Sequence, residues 1–432
     1  MQIVVVMGIN GLFMKIIKSL IQEGAAQSVF PGAVALVAHE GKVVCLECAG
    51  YRSLIPERLP MTTETIFDLA SLTKPLSTAL CIMKLVDDEK LFLDQSLGEM
   101  LSHVDLKDKG NLTLRRLLSH SAGLADWKPF HEKLTGRPLE DRKRLLREWI
   151  IEEPFAYEPG KGNVYSDLGF MLLEWVIEEK TGKTLPEYVE KHFYGPLGLK
   201  RTFFSPSPLS PPPSSAVALL RRTGTPRPPF AKGARGDLRG RKGATLDSRL
   251  CGNDSPIHSG HGRNVPKEAF AATEDCPWRK RVLQGEVHDD NAWTLGGYSG
   301  HAGLFSTAEE VYAIAHMLRE HALGTRADFF KAETVREFFR RQDIVPGGDW
   351  ALGWDTRAPE GSSAGKYFSR DSVGHTGFTG TSLWMDLEKD VIAILLTNRV
   401  HPKRDNDRIK QFRPVFHDAV MEELGFSNAE PV

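Results

Sequence analysis

The spacing of apolar positions changes along the chain and divides it into regions. Residues 33–39 and 42–49 are two β-type runs joined by Glu40-Gly41, which predicts a hairpin. From Ser71 to Asp88 the spacing becomes helical, and it stays largely so as far as Leu199. Helices are predicted there at 112–119, 142–152, 168–181 and 186–192, punctuated by Gly and Pro. Further helices are predicted at 15–23, 308–321 and 332–341. Strand-type runs return at 381–386 and 391–397 across a turn at 388–390, and a helix at 413–424 follows. This order implies a sheet built from both ends of the chain, about 30–70 and 295–432, with a mainly helical region at about 75–200 between them.

Residues 206–264 fit neither period. The stretch opens with Pro206-Ser-Pro-Leu-Ser-Pro-Pro-Pro, and its arginines and lysines outnumber its acids. Such a composition cannot bury enough apolar surface to offset chain entropy, so a disordered insertion is expected in one domain spanning 15–432. The Arg235-Gly-Asp triplet inside it carries no expected role.

Charge narrows the function. The chain of 432 residues has a formal net charge of −1, which gives no electrostatic reason to expect a nucleic-acid partner. No run of eighteen apolar residues predicts a membrane span, and residues 1–14 lack the basic start of an export signal. A cytoplasmic location is the expectation, with the periplasm as the alternative, and Met14 is a second candidate start. Five cysteines argue against a disulfide framework. Cys45 and Cys48 form a lone C-x-x-C, but on a strand such positions face opposite sides, so neither a zinc nor a redox pair is expected.

Three short motifs carry chemistry. In Ser71-Leu72-Thr73-Lys74 a helix start places the two polar side chains on one face, so that Lys74 can act as base for a Ser71 nucleophile. The lysine must be neutral part of the time, which calls for burial or nearby positive charge. In Tyr165-Ser166-Asp167 the tyrosine can shuttle a proton to a leaving group. Asp167 can pair with Lys74, orient substrate or simply cap a helix. In His375-Thr376-Gly377 the small residues suit an edge strand that substrate can approach, and the N–H of Phe378 is a candidate oxyanion donor beside that of Ser71.

Together and in this order, the three motifs resemble those of the serine β-lactamase and penicillin-binding protein superfamily. The similarity is greatest to its class C-like branch, with D,D-peptidases and family VIII carboxylesterases. The flanks agree: Phe67-Asp-Leu-Ala-Ser-Leu-Thr-Lys-Pro75, Leu117-Leu-Ser-His-Ser-Ala-Gly-Leu124 and Ser299-Gly-His-Ala-Gly-Leu-Phe-Ser-Thr307. The resemblance implies an α/β sandwich, an antiparallel sheet flanked by helices plus a helical subdomain, with the cleft between them. It implies an acyl-enzyme at Ser71, proton transfer by Lys74 and Tyr165, and a place beside the substrate for His375, Thr376 and Gly377. It implies no cofactor and no metal, and substrates that are small esters, D-amino-acid peptides or β-lactams. Two departures stand out. Asp167 replaces a frequent Asn, and His375 replaces a frequent Lys, which weakens the pull on a substrate carboxylate and argues against efficient β-lactam hydrolysis.

Other readings compete. Gly361-Ser-Ser-Ala-Gly365 matches the nucleophile elbow of an α/β-hydrolase at Ser363, but Pro359 and Tyr367-Phe368 flank it, so a loop is expected. His288, Asp289 and Asp290, with His301, match no standard metal spacing and are expected to be structural or to rim the pocket. A non-catalytic, penicillin-sensing protein with a degenerate site is the alternative from another functional class.

Overall fold

The computed structural model describes residues 14–205 and 265–427. The predicted disordered insertion at 206–264 lies outside the described residues. Among the described residues there are twelve strands: β1 (Gly32–His39), β2 (Lys42–Ser53), β3 (Leu59–Pro60), β4 (Phe67–Asp68), β5 (Phe203–Phe204), β6 (Ala272–Cys276), β7 (Arg281–Gln284), β8 (Leu304–Ser306), β9 (Asp355–Thr356), β10 (Val373–Thr376), β11 (Ser382–Asp386) and β12 (Val391–Thr397). Seven form one antiparallel sheet in the order β3-β2-β1-β12-β11-β10-β9. The two chain ends meet in its middle, where β1 runs beside β12 from Ala33 opposite Thr397 to His39 opposite Val391.

Burial on both faces explains why β1 and β12 read as unbroken apolar runs. Ala33, Ala35 and Val37 pack under Ile17 and Ile21 of the helix Lys15–Ala26 and Phe412 and Phe416 of the helix Ile409–Glu423. Val34, Leu36 and Ala38 point the other way, into the large core that holds the helices Leu80–Asp87, Asp167–Thr181 and Ala308–Leu323. Cys45 joins the first cluster and Cys48 packs against the second, so this C-x-x-C straddles the sheet.

Local differences from the predicted elements have physical causes. The helix expected from Ser71 opens as a 3₁₀ turn at Ala70–Leu72, widens to a π-helical stretch at Lys74–Ala79 and becomes α-helical only at Leu80. Pro75 lacks an N–H, so the early turns cannot follow the regular pattern. The C-terminal helix starts at Ile409 rather than 413, with Pro414 inside it. The hairpin β6–β7 escaped the sequence reading, because its strands are short and mix Ala, Thr, Glu, Asp and Arg. Among the described residues, no helix is long and apolar enough to cross a membrane.

Candidate active site

Ser71 sits on a tight turn just after β4. Ala70 adopts a left-handed conformation (φ +48°), unusual for a residue with a Cβ, and its N–H donates to the Asp68 carboxylate at 2.9 Å. Asp68 is buried and also accepts the His288 N–H at 2.7 Å. Burial raises the Asp68 pKa, and these two backbone donors oppose the rise. The turn is thus held from beneath by a residue to which the sequence reading gave no role.

Lys74 is fully buried, and its ammonium donates to three oxygens: Tyr165 Oη at 2.5 Å, Asp167 Oδ1 at 2.6 Å and Ser71 Oγ at 3.2 Å. The sequence reading called for a lowered lysine pKa. Burial does push it down, but the Asp167 carboxylate and Tyr165 outweigh burial, and Lys74 is held above the ordinary lysine value. The Tyr165 hydroxyl is also raised, by burial first, with Lys74 opposing and Asp167 adding.

Ser166 caps the helix Asp167–Thr181 by accepting the Gly169 N–H at 3.3 Å. Asp167, at the first helical position, is therefore not the cap, and its carboxylate turns to Lys74. His120 sets this segment in place. Its Nδ1 accepts the Ser166 N–H at 3.0 Å, and its ring packs 4.7 Å from Tyr165 and 4.4 Å from Trp350. Burial, with Lys74 beside it, keeps His120 well below the usual histidine range, hence neutral.

On the third side stands β10. Its neighbour β9 pairs only with Val373 and Gly374, so the edge is open from His375 onward. His375 Nδ1 lies 2.8 Å from the Thr376 carbonyl, which can only accept, so Nδ1 carries the hydrogen. Burial, then Lys74, pushes the His375 pKa down to about 3. The ring is neutral, with Nε2 unprotonated. Gly377 is required by crowding: a Cβ there would lie 2.1 Å from Thr381 Oγ1 and 2.5 Å from the Leu69 carbonyl.

These residues border one cavity of about 710 Å³, lined by Ser71, Tyr165, Asp167, His375, Thr376, Gly377 and Phe378. Arg413, also unassigned from sequence, lines it too. Its guanidinium is buried, donates to the Gly377 and Thr381 carbonyls at 2.7 and 2.9 Å, and has no carboxylate partner among the described residues. Burial, then Arg399, lowers its pKa to about 9. One turn of a surface-type helix gave no sign of this before the fold was known.

The other flagged residues separate. Asp290 pairs with Arg279 and Arg404, and His288 lies 3.3 Å from Glu274. Asp289, His301 and Asp167 bring one ligating atom each within 4.8 Å of one another. In this group Asp167 holds Lys74 at 2.6 Å and Asp289 lies 3.1 Å from His301, so each carboxylate already faces a basic partner. Ser363 lies in a turn, accepts the Trp384 indole N–H at 3.2 Å and does not border the cavity. It lacks the strand and helix that a nucleophile elbow needs.

A helix-flanked antiparallel sheet, with serine, lysine and tyrosine meeting at an open strand edge, defines a class: serine hydrolases that act through an acyl-enzyme. The chain belongs to the beta-lactamase family, whose family model matches residues 17–413. A Salmonella typhimurium protein named as a D-alanyl-D-alanine carboxypeptidase is 28% identical over 398 residues, covering 88% of this chain and 81% of its own length. Among solved structures, the octameric penicillin-binding protein homologue from Pyrococcus abyssi superposes with a TM-score of 0.63 at 20% identity, covering 95% of this chain and 77% of its own. EstCE1, described as a hydrolase with promiscuous acyltransferase activity, superposes with a TM-score of 0.62 at 19% identity, covering 92% of this chain and 97% of its own. The protein is a serine hydrolase with the β-lactamase and transpeptidase-like fold, and a degenerate, non-catalytic reading is not favoured.

Proposed function

We propose that the protein hydrolyses small esters and D-amino-acid peptides through an acyl-enzyme on Ser71, and β-lactams poorly. The observation that carries this reading is the meeting of Ser71, Tyr165 and Asp167 oxygens on one lysine nitrogen at the wall of an open cavity. Ser71 attacks the substrate carbonyl, and the N–H groups of Ser71 and Phe378 receive the oxyanion. Tyr165 passes a proton to the leaving group, and water then releases the acid. A neutral His375 supplies no charge for a substrate carboxylate, while Arg413, behind Gly377, supplies one. This supports peptides ending in a D-amino acid as one substrate class.

The test is intact mass after incubation with a fluorescent penicillin and, separately, with p-nitrophenyl butyrate, for wild type and Ser71→Ala. Turnover or a stable adduct that vanishes in the variant is the expected result. Labelling that survives in Ser71→Ala overturns the reading.

A further inference from the structure

Asp167 adds a negative charge where the reaction needs a proton acceptor. An ammonium has three hydrogens and no lone pair. The Lys74 nitrogen faces three oxygens within 3.2 Å, so it is satisfied as an ammonium and offers nothing to accept the Ser71 proton. Asp167 disfavours both other bases in reach. Its charge stabilises protonated Lys74, and it opposes loss of the Tyr165 proton. The anion of this site is already present, and it is Asp167 itself.

The surroundings fix where that charge stays. From the helix start Lys74 faces Asp167; from the loop after β7, Asp289 pairs with His301 at 3.1 Å; and His301 comes within 4.8 Å of Asp167. Burial lowers the His301 pKa, but Asp289 and Asp167 outweigh burial and raise it, so Asp167 lies between the Lys74 ammonium and a ring whose protonated form its charge favours. From the remaining elements His120 and His375 face Lys74, and both are neutral. Carboxylates and basic side chains thus alternate from Asp289 through His301 and Asp167 to Lys74.

We propose that Asp167 is the terminal proton acceptor of acylation, acting through Lys74. This rests on the assignment of Ser71 as nucleophile. As the bond from Ser71 Oγ to the carbonyl carbon forms, the Ser71 O–H bond breaks and its proton goes to Lys74 Nζ. Lys74 can accept it because one Lys74 hydrogen has first crossed to Asp167 Oδ1, which leaves a lone pair that turns to Ser71. Lys74 stays an ammonium, Asp167 becomes a carboxylic acid, and the negative charge moves to the carbonyl oxygen. When the intermediate collapses, the proton returns from Asp167 to Lys74 and on to Tyr165. Tyr165 delivers its own hydrogen to the leaving group as the carbon–leaving-group bond breaks.

The experiment is the pH dependence of kcat/KM for p-nitrophenyl butyrate in wild type, Asp167→Asn and Asp167→Glu, with thermal unfolding of each and Ser71→Ala as control. Wild type should keep its activity as pH falls through the range in which an amine base would be protonated. Asp167→Asn should lose on the order of 100-fold at pH 6 and regain much of it towards pH 9, where Lys74 itself is neutral more often. Asp167→Glu should keep the shape of the wild-type profile. A wild-type acid limb in the amine range, a loss in Asp167→Asn that is the same at every pH, or a faster Asp167→Asn enzyme at pH 6 would each overturn the proposal. The wild-type profile decides the matter even if the variants do not fold. Activity that survives Ser71→Ala instead overturns the nucleophile.

Discussion

The backbone carbonyl of Asp68 accepts the Thr379 hydroxyl at 2.7 Å, a bond that ties the turn presenting Ser71 to the loop after His375-Thr376-Gly377. The Leu69 carbonyl accepts the Thr381 hydroxyl at 3.0 Å in the same way. The Asp68 side chain meanwhile holds the N–H groups of Ala70 and His288. Asp68→Ala leaves both donors buried and unmet. It is expected to cost roughly 2–4 kcal/mol of stability and to slow acylation, since Ala70 loses the carboxylate that accepts its N–H in the left-handed conformation. Urea unfolding read beside the acylation rate checks this. A variant as stable and as fast as wild type would show that the turn holds its own shape.

Lys74→Met removes one member of a buried ion pair and leaves the Asp167 carboxylate, only 14% exposed, without its cation. The expected loss is about 3 kcal/mol in stability, beside a loss of proton transfer worth roughly 100-fold or more in rate. Lys74→Met with Asp167→Leu should recover most of the stability and none of the rate. Melting temperatures and single-turnover rates of the two variants separate these effects.

Two buried histidines make the fold sensitive to acid. Burial, followed by Lys74, sets His375 at about 3, and burial sets His417 at about 4. An unfolded histidine titrates near 6.5. Between those values the unfolded chain binds protons that the folded chain refuses. Stability is therefore complete above about pH 6.5 and falls as pH drops, by about 1.4 kcal/mol per unit for each histidine. Urea midpoints at pH 7 and pH 5 should fall less for His417→Gln than for wild type. Equal falls would rule His417 out as a contributor.

Arg413 offers a test of substrate class. Arg413→Met removes donors from two carbonyls and so disturbs every substrate alike, but it removes charge only from substrates that carry a carboxylate. The expected result is a KM for a D-Ala-D-Ala-terminated peptide raised roughly tenfold or more beyond any change for p-nitrophenyl butyrate. An equal change for both substrates would assign Arg413 to loop support alone.

Much of this architecture is legible in the sequence, because it depends on local signals. The hairpin β1–β2, strand β12 and the helix at Asp167 follow from apolar spacing and caps, and the three motifs could be singled out by residue type and order. The electrostatics of Lys74 could not be read. Burial and partners act on it in opposite directions, and only coordinates give their balance. Asp68, His120 and Arg413 stayed unassigned for a related reason. Each works on backbone groups distant in sequence, such as Ser166 for His120 and Gly377 for Arg413. A contact of that kind leaves no periodicity behind it.

The pairing of β1 with β12 has a consequence for how the protein is made. Gly32–His39 leaves the ribosome early and waits for Val391–Thr397, more than 350 residues later, before the centre of the sheet can close. Ser71 and Lys74 are synthesised in the first fifth of the chain, but the edge that faces them arrives only with His375. A nascent or truncated chain thus carries Ser71 and Lys74 without the strand edge that faces them. The wall of the cavity is completed only when this last part of the sheet joins, and contacts of such large sequence separation form slowly.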